Sequence, residues 1–107
     1  MLITNPPIHP GEILRTEFME PLGLSPGKVA KAVGVPCTRI ERLIREETAL
    51  TADTAARLGR YFSTGAEFWM NLRTSFDAST ARLDPELQRA LAAIEPRPDP
   101  EVRDEAA

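Results

Sequence analysis

Residues 25–45 constrain this chain more than any other stretch of it. The small residue Ala30 stands four positions before Gly34, and Ile40 and Leu43 follow Gly34 at six and nine positions. That spacing predicts two short helices joined by a tight turn. Ala30 lets the two helices approach closely, and Gly34 supplies the positive φ that the turn demands. Ile40 and Leu43 then point into a core, which leaves the opposite face of the second helix free to enter a DNA major groove.

The rest of the composition narrows what such a motif can belong to. A chain of 107 residues with 42% hydrophobic content makes one small domain with a tail, and its thin core favours pairing with a second copy. No apolar run reaches the ~20 residues of a membrane span. The first seven residues lack the basic start and apolar stretch of a signal peptide, so a cytoplasmic location and no membrane partner are expected. Cys37 is the only cysteine and His9 the only histidine. They leave nothing for a disulfide framework, a zinc site or a Ser-His-Asp triad, and no cofactor is expected.

The net charge of −3 argues against nucleic acid until it is divided along the chain. Residues 25–45 carry Lys28, Lys31, Arg39, Arg42 and Arg45 against Glu41 alone. Residues 77–107 carry four arginines against eight acids. The basic segment suits DNA and the acidic end suits a basic protein. The plainer alternatives are a solvated helix face for the first and simple disorder for the second.

Helix signals follow one another along the whole sequence, and no segment alternates as a strand does. His9 and Pro10 open a first helix with Ile8 and Ile13 as a hydrophobic staple, and Ile13, Leu14 and Phe18 form its apolar face until Pro21 and Gly23 end it. His9 is read as a cap rather than a catalytic base. Ser25 caps a second helix with Pro26 at its first position and Val29, Ala30 and Val33 inward. A third runs from Pro36 or Cys37 to about Glu46. Thr51 caps a fourth, with Asp53 favoured by the helix dipole and Ala55, Leu58 and Phe62 on the inner face.

Thr64 to Glu67 form a capping-box pattern for a fifth helix carrying Phe68, Trp69, Leu72 and Phe76, which helical spacing assigns to the core or a dimer interface. Asp53 and Glu67 are thus accounted for as caps, and no nucleophile or metal cluster accompanies them, so the chain is not read as an enzyme. The fold class is all-α: a compact five-helix domain over residues 7–76, then residues 77–107 as a C-terminal helical extension and acidic tail. Leu83, Leu87, Leu91 and Ile94 recur at helical spacing and predict a sixth helix over about residues 85–94. Three prolines in five residues end it, and the last dozen residues are expected to be disordered in isolation.

On the third helix, Cys37, Thr38, Glu41, Arg42 and Arg45 lie opposite Ile40 and Leu43. Arg42 is the best base reader, since a guanidinium bonds guanine O6 and N7 together. Thr38 suits a phosphate or a base edge, Arg45 either, and Cys37 is a neutral spacer or a contact for a thymine methyl. Lys28, Lys31 and Arg39 suit phosphates, which fix register without reading sequence. Glu41 would be repelled by phosphates unless it accepted from a cytosine amino group; a salt bridge to Arg45, four residues on, is the preferred expectation.

Several stretches together resemble the HigA antitoxin family, also called VapI-like. They are PIHPGEILR over residues 7–15, EPLGLS over 20–25, AKAVGVP over 30–36, TADTAARL over 51–58 and AEFWMNL over 66–72. The resemblance covers about residues 7–76 and implies an Xre/Cro-type helix-turn-helix domain, lambda-repressor-like. It implies a homodimer bound to a palindromic double-stranded operator in its own promoter, and a basic RelE-like ribonuclease toxin, HigB, as the protein partner. By position, Thr38, Arg39 and Arg42 fall in the recognition helix, and the helix of Phe68 and Trp69 falls in the part that builds the dimer.

The sequence departs from the family pattern with Pro26 in place of a usual Gln, Glu41 in place of a frequent Asn, and Glu46 and Glu47 where Asn-Gly-Lys/Arg is usual. Each change removes a donor or positive charge from the DNA side. The reading carried forward is an antitoxin and autorepressor. The alternatives are a solitary Xre-type regulator without a toxin and a protein-interaction module that has lost DNA binding. For the toxin surface, the acidic segment over residues 84–107 competes with residues 1–7 and the first helix.

Overall fold

Four of the six helices described start at a side chain that accepts a free main-chain amide, namely His9, Ser25, Thr51 and Asp84. The computed structural model describes residues 4–98. Helix α1 begins at Pro10–Ile13, continues through a π-helical segment Leu14–Met19 and closes with Glu20–Leu22. It is followed by α2 (Pro26–Val33), α3 (Cys37–Ile44), α4 (Ala52–Tyr61), α5 (Ala66–Arg82) and α6 (Pro85–Ala92). Among the described residues no strand forms, and the class is all-α as expected. No helix there is long and apolar enough to cross a membrane.

The His9 reading holds in detail. Its Nδ1 accepts the Gly11 amide at 2.9 Å, and its buried ring sits 4.8 Å from that of Phe76. Ser25 Oγ accepts the Lys28 amide at 3.2 Å, and Thr51 Oγ1 accepts the Thr54 amide at 3.2 Å. Gly34 takes φ 76° as its turn requires, while Ala30, at 3% exposure, lies beneath it. Gly11 answers a different need. A Cβ there would overlap the carbonyl of Leu43, so α1 crosses α3 at backbone contact.

The core is built from Leu14 and Met19 of α1, Val29, Ala30 and Val33 of α2, Ile40 and Leu43 of α3, Leu50, Ala55 and Leu58, and Trp69 of α5. Trp69 is fully buried, and its ring meets those of Phe18, Phe62 and Phe68 at centroid distances of 5.0, 6.2 and 5.2 Å. Aromatic pairs of this kind add about 0.5–1.5 kcal/mol each beyond the area they bury. Helix α4 lies along α5, α2 against α3 and α4, and α1 against α3 and α5. The two motif helices therefore rest on a frame made by α1, α4 and α5.

Four expectations need correction. Pro21 does not end α1: it lies inside the last turn, and Gly23 with φ 64° closes the helix through Leu24 N–H to Met19 O at 2.9 Å. The π segment explains the tolerance, because Glu20 N–H already bonds Arg15 O, five residues back, so the proline meets a widened turn. The capping box at Thr64 does not form. Gly65 is the N-cap, Thr64 Oγ1 donates to the Gly65 carbonyl at 3.0 Å, and the amides of both residues close α4 on Gly59 O.

Helix α5 also runs past Phe76 and Asp77 without a break to Arg82, with an Arg73–Asp77 pair at 3.5 Å spanning that point. Ser79, fully buried within this added stretch, accepts the Thr4 amide at 2.8 Å. Helix α6 ends at Ala92, two residues short of the expected end. Asp84 caps it by accepting the amides of Glu86 and Leu87. The acidic end over residues 99–107, with its expected disorder, lies outside the described residues.

Candidate nucleic-acid interface

Helix α3 is fixed from behind and open in front. Ile40 and Leu43 are 0% and 2% exposed, and burying two such side chains contributes about 1.5–3 kcal/mol each. Cys37, Thr38, Arg42 and Arg45 are exposed on the outer side, and Lys28 and Lys31 are exposed on α2. Thr38, Arg39 and Arg42 share a groove of about 650 Å³ with Pro36, Thr51, Asp53 and Arg57 at the junction with α4. Lys28, Lys31, Cys37 and Arg45 lie outside that groove.

Arg39, read from the sequence as a phosphate contact, is held against α4 through one of its nitrogens. Its Nη1 donates to Asp53 Oδ2 at 2.8 Å, and the same oxygen accepts Arg57 Nε at 2.9 Å. Arg57 Nη1 then donates to Val33 O at 2.8 Å and Gly34 O at 3.2 Å, closing the C-terminal end of α2. These hydrogen bonds hold the Asp53 carboxyl below its ordinary range, that of Arg57 contributing most and that of Arg39 adding to it. Asp53 is thus more than a first-turn carboxylate favoured by the helix dipole.

At the other end of the motif, Arg15 of α1 donates through Nη1 to the carbonyl of Ile44, the last residue of α3, and lies 3.8 Å from the Glu46 carboxylate. Arg15 and Arg57 hold the motif in place, and the sequence analysis did not single them out. Each is a long-range C-cap, 29 and 24 residues from the carbonyl it serves, so no local pattern marks it.

Helix α3 ends without a glycine. Glu46 adopts φ 64°, with its N–H on Leu43 O and the Glu47 N–H on Arg42 O, both at 2.9 Å. This is a Schellman closure with glutamate in the position that glycine usually fills. The expected Glu41–Arg45 pair is absent among the described residues. Arg45 is already the C-cap, and Glu41 turns back to Cys37 instead. Partial desolvation, then the Glu41 charge and a hydrogen bond to its carboxylate, push the Cys37 thiol above its ordinary range.

The aromatic set divides. Trp69 belongs to the core, Phe76 is half-buried against His9, and Leu72 is half-buried. Phe68 is 38% exposed and Ile8 37% exposed. Phe68, Leu72, Phe76, Ile8 and Ile13 line one apolar groove between α1 and α5. Leu87 and Leu91 on α6 are exposed, as are Leu83 before it and Ile94 after it.

Two helices around a glycine turn, with a cationic front backed by Ile40 and Leu43, define an Xre/Cro-type helix-turn-helix protein. The chain belongs to the HigA antitoxin family of that class, one of regulators rather than enzymes. It is 49% identical over 79 residues to virulence-associated protein I of Dichelobacter nodosus, a match covering 74% of this chain and 73% of the relative. The Pseudomonas aeruginosa antitoxin HigA with higBA promoter superposes with a TM-score of 0.78 at 43% identity, covering 84% of this chain and 97% of that one. The antitoxin GraA in complex with its operator gives 0.80 at 38% identity, covering 87% and 93%. No family model matches the chain.

The left-handed backbone at Glu46 yields a direct test. A non-glycine residue there costs about 1–2 kcal/mol, against a half-exposed ion pair to Arg15 that contributes little. Glu46→Gly is expected to raise the melting temperature by about 2–6 °C in thermal unfolding followed by circular dichroism. A lowered melting temperature would show that the contact to Arg15 outweighs the backbone strain.

Proposed function

We propose that the protein is the antitoxin of a type II toxin–antitoxin module: a homodimer that represses its own promoter and neutralises a basic RelE-like ribonuclease toxin in the cytoplasm. The observation that carries the DNA reading is α3 itself, anchored by Ile40 and Leu43 and presenting Thr38 and Arg42 outward. The HigA and GraA structures with promoter or operator DNA support it. In this reading Arg42 reads a base edge and Thr38 a base edge or phosphate. Arg45 adds a contact to either, Lys28 and Lys31 set the register on phosphates, and Cys37 is a neutral spacer.

Two copies of α3 must sit about 34 Å apart to enter successive major grooves. The groove of Ile8, Phe68 and Leu72 is the surface we assign to the dimer contact, since it leaves large apolar side chains part-exposed on the frame rather than on the motif. This divides the labour: the helices up to the end of α5 at Arg82 hold the DNA-binding domain, and residues 84–107 hold the toxin contact. The exposed leucines of α6 lie among Asp84, Glu86 and Glu95 as well as Arg82 and Arg89, which gives apolar area with an acidic excess and suits a basic partner.

Binding to a duplex from upstream of its own gene tests the DNA half. Arg42→Ala is expected to cost about 1–3 kcal/mol on that duplex. Lys28→Ala or Lys31→Ala should weaken all duplexes alike and reduce the salt slope by about one. No binding by the folded dimer at low salt would reject the operator. For the toxin half, a chain ending at residue 83 is co-expressed with the basic toxin encoded beside it, and capture is expected to be lost. Undiminished capture would reject the C-terminal surface in favour of residues 1–7 and α1.

A further inference from the structure

We propose that Asp53 is a specificity-determining residue of the DNA interface, acting through Arg39 and Arg57 without touching DNA. The inference rests on the DNA-binding reading above and adds a residue that this reading does not require. One carboxylate oxygen, Asp53 Oδ2, takes Arg39 of α3 at 2.8 Å and Arg57 of α4 at 2.9 Å. Because Arg57 also holds the carbonyls of Val33 and Gly34, that oxygen connects α4 to both helices of the motif.

Two consequences follow from this geometry. Arg39 is the third residue of α3, one position after Thr38 and three before Arg42, so tethering it to α4 fixes the roll of the helix that carries both assigned base readers. The tether also withdraws a cation from the phosphate-binding surface. Thr38 and Arg42 need their positions held to read an operator, whereas unrelated DNA needs only phosphates and cations. The carboxylate therefore favours operator and disfavours other DNA.

Stability alone gives little reason for this arrangement. All three side chains are 42–56% exposed, and an exposed ion pair changes an equilibrium constant by no more than about fivefold. A carboxylate placed on a DNA-facing groove repels phosphates, so a purely stabilising role would be better filled by a neutral acceptor.

The test uses the full chain and two duplexes of equal length, one with the upstream sequence and one scrambled, titrated over a range of salt. Asp53→Asn keeps the shape and removes the charge. It is expected to tighten scrambled DNA by about two- to fivefold and steepen its salt slope by about one, while operator binding weakens. In an Arg39→Gln background the gain on scrambled DNA should shrink to the part that comes from lost repulsion alone, and an undiminished gain would overturn the role given to Arg39. Arg57→Lys, which keeps the charge and loses the fork, should weaken operator with its salt slope unchanged.

Equal tightening of both duplexes would overturn the proposal, since Asp53 would then only screen charge. Equal weakening of both with a lowered melting temperature would also overturn it, as a structural role alone. Wild type that binds both duplexes alike would overturn the DNA reading itself and this inference with it.

Discussion

The C-terminal ends of two short helices have to be held, and everything else in the structure depends on how this is done. Helices α2 and α3 have eight residues each, too few to persist alone in water. Arg57 grips the carbonyls at the end of α2, and Arg15 grips the last carbonyl of α3. A guanidinium at a helix C-terminus satisfies free acceptors and opposes the negative end of the dipole. Because the two arginines come from α4 and α1, they also fix the motif on the frame. Ile40 and Leu43 supply the apolar part of that attachment, and the close crossing at Gly11 lets Arg15 reach its carbonyl.

Charge is distributed so that the cations holding the motif differ from the cations it displays. Arg15 faces Glu46, and Arg39 and Arg57 share Asp53. Lys28, Lys31, Arg42 and Arg45 make no ion pair among the described residues. A chain with net charge −3 thereby keeps a local surface of free positive charge on α2 and α3. The acidic departures Glu41 and Glu46 are each engaged locally, one turned to Cys37 and the other closing α3 beside Arg15.

What was legible in the sequence was local. His9, Ser25 and Thr51 signal caps because a cap bonds amides two or three residues away, and Gly34 signals a turn because few residues tolerate its φ. Ile40, Leu43 and Trp69 follow from helical spacing. The rest depended on partners distant in sequence or on compensation between neighbours. Arg15 and Arg57 serve carbonyls on other helices, and Asp53 serves two arginines at once. Residues 77–82 are mostly small and polar, so they carry no apolar periodicity and hide the continuation of α5, although Ser79 is buried and bonded to the Thr4 amide. Thr64 matched a capping pattern that Gly65 took over one residue later.

The central claim is that α3 presents Arg42 to a base edge in the major groove, twice per dimer. Methylation protection of guanine N7 on the duplex upstream of its own gene measures this directly, because N7 is the major-groove atom a reading arginine covers. The account expects two protected half-sites about one helical turn apart, with protection lost in Arg42→Ala while the duplex is still bound at low salt. Bound duplex with every guanine N7 still reactive, or protection unchanged in Arg42→Ala, would contradict it.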